Sequence, residues 1–193
     1  MRNKLLFGSI VLSLALFTGC SQDNLNNEKQ NTNSASENTV TNNGESNSIN
    51  KEAVKEAIKA AQEYKNIEYT VENSEDVLSE DAVQSRNEEL KPFLTESFYT
   101  NAVDTRYTTL PLTIADKQKL SIKPENLKFN LVDDKNDIIE LRYIVDLVLI
   151  DQGDKESKRV PLEGILTLKN VNDNWLVQGD RYDSAAFNKL TKE

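Results

Sequence analysis

Residues 138–150, Ile-Ile-Glu-Leu-Arg-Tyr-Ile-Val-Asp-Leu-Val-Leu-Ile, decide the fold. Ile139, Leu141, Tyr143, Val145, Leu147 and Leu149 take every second position, so an extended chain carries them all on one face. The opposite face mixes Ile138, Ile144, Val148 and Ile150 with Glu140, Arg142 and Asp146. Such a mixture fits an antiparallel sheet packed on one side and partly solvated on the other.

The same period extends outward in both directions. Upstream, after Pro124, Leu127, Phe129 and Leu131 alternate, and the acidic run 133–137 makes a turn. Downstream, a loop at 151–158 leads to Val160, Leu162, Gly164, Leu166 and Leu168, which alternate with Pro161, Glu163, Ile165, Thr167 and Lys169. Asn172-Asp173-Asn174 is a hairpin turn, and 175–182 is the last strand. Four antiparallel strands in sequence order form a meander.

Before the sheet the period is helical. Asn50 caps a helix over about 51–65, whose stripe of Val54, Ile58 and Ala61 runs beside Ala57 and Tyr64. Glu52–Lys55, Glu56–Lys59 and Lys59–Glu63 pair on its other face. Residues 67–71 alternate as a short extended piece. Ser79 caps a second helix with Val83, Arg86, Asn87 and Leu90 on one side, and Lys91-Pro92 ends it. Phe93-Leu94 with Phe98-Tyr99 suits a third short helical turn, and 101–123 reads as irregular. The whole is an α+β domain, with two or three N-terminal helices packed on a curved four-stranded antiparallel sheet.

The order of elements, the segment Leu90-Lys91-Pro92-Phe93-Leu94-Thr95 and the hairpin Asp173-Asn174-Trp175-Leu176-Val177 together resemble the NTF2-like (cystatin-like α+β) superfamily over residues 50–183. The resemblance implies the fold and leaves the activity open, because that superfamily holds isomerases, dehydratases, transport factors and extracytoplasmic accessory domains.

The chain starts with the positive segment Met1-Arg2-Asn3-Lys4 and an uncharged apolar run from Leu5 to Phe17, the layout of a signal peptide over 1–19. A run of about 13 residues is too short to cross hydrocarbon as a helix, which needs about 20. Leu16-Phe17-Thr18-Gly19-Cys20 resembles the lipobox of bacterial lipoproteins, with Phe17 where leucine is usual. The resemblance implies that the Cys20 thiol receives a diacylglyceryl group and that cleavage makes Cys20 the N-terminus. Two acyl chains anchor stably where one holds only marginally. The competing reading is a secreted chain with a free thiol, and a lone cysteine in an exported protein is unusual unless modified or paired between molecules.

Residues 20–50 are the lipidated N-terminus and a disordered tether: from 21 onward the chain is almost entirely Ser, Asn, Gln, Thr, Glu and Asp. Its span as a flexible coil is on the order of 30 Å. Tethers of this composition resemble those of Gram-positive lipoproteins. Residues 51–193 then suit one domain of ordinary size.

Twenty-three Lys and Arg stand against 32 Asp and Glu, and the formal charge of −9 becomes −11 once Arg2 and Lys4 leave with the leader. That balance disfavours a nucleic-acid partner and docking on anionic lipid through basic residues. Attachment to the membrane is therefore expected through lipid at Cys20.

The chain has no histidine and one cysteine, which removes the usual zinc and copper ligands along with Ser-His-Asp and Cys-His catalysis. The acidic turn Asp133-Asp134-Lys135-Asn136-Asp137 fails the EF-hand spacing, since Lys135 takes the third position and no glycine follows. Six scattered glycines form no phosphate loop. No cofactor or metal is expected.

NTF2-like enzymes can work with a carboxylate base and a phenol in an apolar pocket. Tyr143 and Asp146 fall on opposite faces of their strand, whereas Asp180 and Tyr182 share a face and either meets Tyr143 if register allows. Trp175 reads as a core plug before a ligand platform, and Arg142, Asp146 and Glu163 read as cross-strand pairs. The reading that results is a lipid-anchored extracytoplasmic binding or accessory module of the cell envelope, its partner an envelope protein, a wall polymer or a small ligand. The alternative is a small isomerase or dehydratase using Asp and Tyr in the sheet cavity. A transporter's substrate-binding protein is disfavoured, because 51–193 cannot supply two ligand-clasping lobes.

Overall fold

The computed structural model describes residues 50–192, so the leader, Cys20 and most of the tether lie outside the described residues. Four strands form one antiparallel sheet in the order β1-β2-β3-β4, with β1 at Ser121–Lys135, β2 at Ile138–Ile150, β3 at Glu156–Val171 and β4 at Asn174–Tyr182. β2 covers the span its alternation marks out. Ile139, Leu141, Tyr143, Val145, Leu147 and Leu149 are all buried, while Ile138 and Ile144 on the other face are exposed.

Helix α1 spans Lys51–Tyr69, capped by Asn50, whose side chain accepts from the Ala53 amide. The extended piece expected at 67–71 is corrected here: α1 runs through Tyr69, and only Val71 pairs, with Ile122 at the edge of β1. The alternation of 67–71 misled because Tyr64, Lys65, Glu68 and Tyr69 also fit helical spacing and turn inward together. Ser79 caps α2 at Glu80–Leu90, with Arg86 and Leu90 buried. A 3₁₀ turn at Lys91–Phe93 follows, and Thr95 then caps α3 at Glu96–Asp104. Thr95 also donates its amide to Val177, covering the free edge of β4.

Residues 101–123 are not irregular. α3 continues to Asp104, a 3₁₀ turn occupies Tyr107–Thr109, α4 runs Leu110–Gln118, and β1 begins at Ser121, ahead of Pro124. A last helix, α5 at Ser184–Leu190, is capped by Asp183 and buries Phe187 and Leu190. The core lies between the helices and the inner face of the sheet. Among the described residues, no helix is long and apolar enough to cross a membrane.

Candidate functional site

At the centre of that core lies a group of charges and phenols. Lys65, on the last turns of α1, is fully buried, and its ammonium donates to Glu68 Oε2 at 2.6 Å, to Tyr69 Oη at 2.9 Å and to Asp180 Oδ2 at 2.5 Å. An ammonium has three protons, and all three are used. The rings of Tyr143 and Tyr69 stand 4.3 and 4.4 Å from Nζ, which adds cation–π attraction in a dry site.

Each partner is placed by a different element. Glu68 and Tyr69 follow Lys65 by three and four positions, so one turn of α1 presents all three. Tyr143 comes from β2 and donates to Asp180 Oδ1 at 3.2 Å, while Tyr107, from the 3₁₀ turn, makes a short hydrogen bond to Asp180 Oδ2. Tyr69 accepts from Lys65 and stands 3.3 Å from Tyr143 Oη, so the hydroxyls run head to tail from the ammonium to the carboxylate. Gly164, opposite Tyr143 on β3, makes room for that ring: a Cβ there would lie 2.5 Å from the phenol oxygen. Phe98, Tyr182 and Phe187 pack around Tyr107 and Tyr69 and close the shell.

Burial pushes the Glu68 carboxyl up against the pull of Lys65, and Asp180 pushes it the same way as burial. For Lys65 burial works downward, but Asp180 and Glu68 outweigh it and hold the ammonium well above the ordinary range. The Tyr64, Tyr69 and Tyr107 phenols are driven well up, chiefly by burial. One cation thus faces two carboxyl groups, Glu68 and Asp180, in a site closed to solvent.

The site residues read from the sequence divide as follows. Asp180 and Tyr143 do meet, while Asp146 lies on the outer face, bound to Asn126 at 2.7 Å and Arg159 at 3.4 Å. Tyr182 packs on Tyr107 and Phe187. The cross-strand pairs expected of Arg142 and Glu163 are corrected, because across β2–β3 these residues stand opposite Ile165 and Ile144. Arg159 gathers Glu125, Glu156 and Asp146 in their stead. In the acidic turn, Lys135 pairs with Asp133 at 2.6 Å. Trp175 is a buried core residue beneath an open groove of about 580 Å³ between α1 and the β3–β4 hairpin. Sequence reasoning missed Lys65, Glu68, Tyr69 and Tyr107; the available signal was a lysine and a glutamate on the same helical stripe as Ala57, Ala61 and Tyr64.

Several solved structures are similar to this chain, three of which follow. CagV, a VirB8 homologue of the type IV secretion system of Helicobacter pylori, is 11% identical with a TM-score of 0.50, over 65% of this chain and 95% of that one. A periplasmic fragment of TraM is 14% identical, TM-score 0.47, over 67% of this chain and 96% of that one. The solution structure of TraH, a putative transfer protein from the Gram-positive conjugative plasmid pIP501, is 11% identical, TM-score 0.40, over 67% of this chain and 93% of that one. No protein-family model matches the chain, and none of the curated proteins does. At such identity the likeness is one of fold, and the fold is the NTF2-like one expected from the order of elements.

Proposed function

We propose that this chain is a lipoprotein held at the extracytoplasmic face of the cell membrane by lipid on Cys20, and that its single domain is a binding or accessory module of an envelope assembly. The observation that carries the domain's part is the closure of the space between helices and sheet. The side chains of Lys65 and Asp180 are both 0% exposed, so a substrate has no access to the place where, among the described residues, Asp and Tyr meet. An isomerase or dehydratase of this fold needs that place open to its substrate.

The signal layout and lipobox support export and anchoring, and the tether composition favours a Gram-positive envelope. The shared fold with CagV, a type IV secretion protein by its description, favours a secretion assembly as the kind of partner. Function on a shared fold resides in its surfaces, so the partner must be found by contact.

The test is made in cells with the full chain. Wild-type protein should fractionate with membranes, and Cys20→Ser protein should be released or accumulate as precursor. Crosslinking in intact cells should join the wild-type domain to components of one membrane assembly. Cys20→Ser protein that is cleaved yet still sediments with membranes overturns the anchor, and turnover of a small substrate by purified protein overturns the accessory role.

A further inference from the structure

We propose that Lys65 and Asp180 condense into an amide bond that ties α1 covalently to β4, with Glu68 moving the protons. This goes beyond the reading of the chain as an anchored module and does not depend on it. Lys65 and Asp180 are 115 positions apart in the chain, yet Nζ lies 2.5 Å from Oδ2. A hydrogen bond that short brings the nitrogen to about the 3–3.5 Å separation of a near-attack pair with Cγ. Neither side chain is exposed, so water that would hydrolyse the product is kept out.

The reaction balances without any other reagent. The ammonium passes one proton to Asp180 Oδ2, leaving an amine beside a carboxylic acid. The amine lone pair attacks Cγ, and the π pair moves onto Oδ1, where the Tyr143 hydroxyl donates. Glu68, 2.6 Å from Nζ, accepts a proton from the nitrogen and returns one to the departing hydroxyl, so the Cγ–Oδ2 bond breaks and one water leaves. An ammonium and a carboxylate have become an amide and a water, and Glu68 ends as it began.

Asp180 is the acyl partner because phenols address both of its oxygens, Tyr143 at Oδ1 and Tyr107 at Oδ2. Glu68 is the proton carrier because it touches the nucleophile directly. The linkage would join α1, the first helix of the domain, to β4, the last strand of the sheet, so neither could be pulled from the other without breaking a covalent bond.

The experiment is tryptic mapping of the full-length protein by mass spectrometry under denaturing conditions. The expected product is peptide 60–86, uncut at Lys65, joined to peptide 170–181, with a mass lower by one water than the two together. Lys65→Arg and Asp180→Ala should each abolish it, and Glu68→Gln should slow its formation by about 10²-fold or more. Wild-type protein that gives only separate 60–65, 66–86 and 170–181 peptides overturns the proposal, whether or not the variants fold. So does a water loss that maps to a Lys65–Glu68 link and leaves 170–181 free. Equal linkage in Glu68→Gln and wild type overturns the role given to Glu68.

Discussion

Lys65 stands where the periodicity of α1 calls for an apolar side chain, and it can do so because three acceptors and two aromatic faces receive its charge. Removing one member of such a group leaves the others buried and unpaired, which costs more than the whole group contributes over apolar replacements. Measured against wild-type protein in which Lys65 and Asp180 are still an unlinked ion pair, Lys65→Met should therefore lower stability by at least about 3 kcal/mol in urea unfolding, because Asp180 and Glu68 lose their cation. The triple change Lys65→Met, Glu68→Leu and Asp180→Leu should recover most of that loss. A triple variant no more stable than the single one would mean that the polar group itself holds the core together. Half of this site was legible in advance: alternation placed Tyr143 and Asp146 on opposite faces of β2 and let Asp180 or Tyr182 meet Tyr143 if register allowed. Lys65 and Glu68 escaped notice because a charge on a helix is ordinarily read as solvated, and only its position on the Ala57–Ala61–Tyr64 stripe argued otherwise.

Caps and turns decided how well each element could be read. Asn50 and Ser79 announced α1 and α2, and their side chains do accept the expected amides. Asn172 and Asp173 announced the last hairpin, where both adopt positive φ. α4 gave no such signal, since its C-cap is Lys119 in the left-handed region where glycine or asparagine is the usual marker. Among the described residues, every positive-φ position is filled by a side-chain-bearing residue, Arg106 and Lys119 included, so a search for glycine punctuation finds none of these breaks. The end of α1 was misplaced for a related reason. Its last carbonyls are held from a distance by Arg86 of α2, which donates to Ile67 at 2.6 Å and to Thr70 at 2.7 Å. A cation at that end also opposes the helix dipole favourably. Arg86→Met should cost about 1.5–3 kcal/mol through these charge-assisted bonds. Hydrogen exchange should quicken first at the amides of 67–70; uniform quickening across the domain would refute a local clamp.

For the molecule as a whole, the strongly alternating strands gave the layer order, and the sheet has the meander topology their sequence implied. The missing parts, α4 and α5, are short and depend on packing against the core for their stability more than on propensity, so periodicity carries little of them. The central cluster spans the layers, drawing Tyr64 and Tyr69 from α1, Tyr107 from the turn before α4, Tyr143 from β2 and Asp180 from β4. This arrangement sets the response to alkali. Burial raises the phenol pKa of Tyr64, Tyr69, Tyr107 and Tyr143, so the folded chain holds those protons more tightly than the unfolded chain does. The stabilisation is complete below about pH 10, the ordinary phenol value, and is lost as pH climbs toward the folded values. Because the phenols sit on several layers, ionising them requires those layers to separate. Phenolate absorbance from the buried tyrosines should therefore rise together with loss of the far-ultraviolet circular dichroism, in one transition above about pH 10. Ionisation of these phenols while the dichroism stays native would show that the cluster opens locally, and that the layers are held together by the apolar core around it.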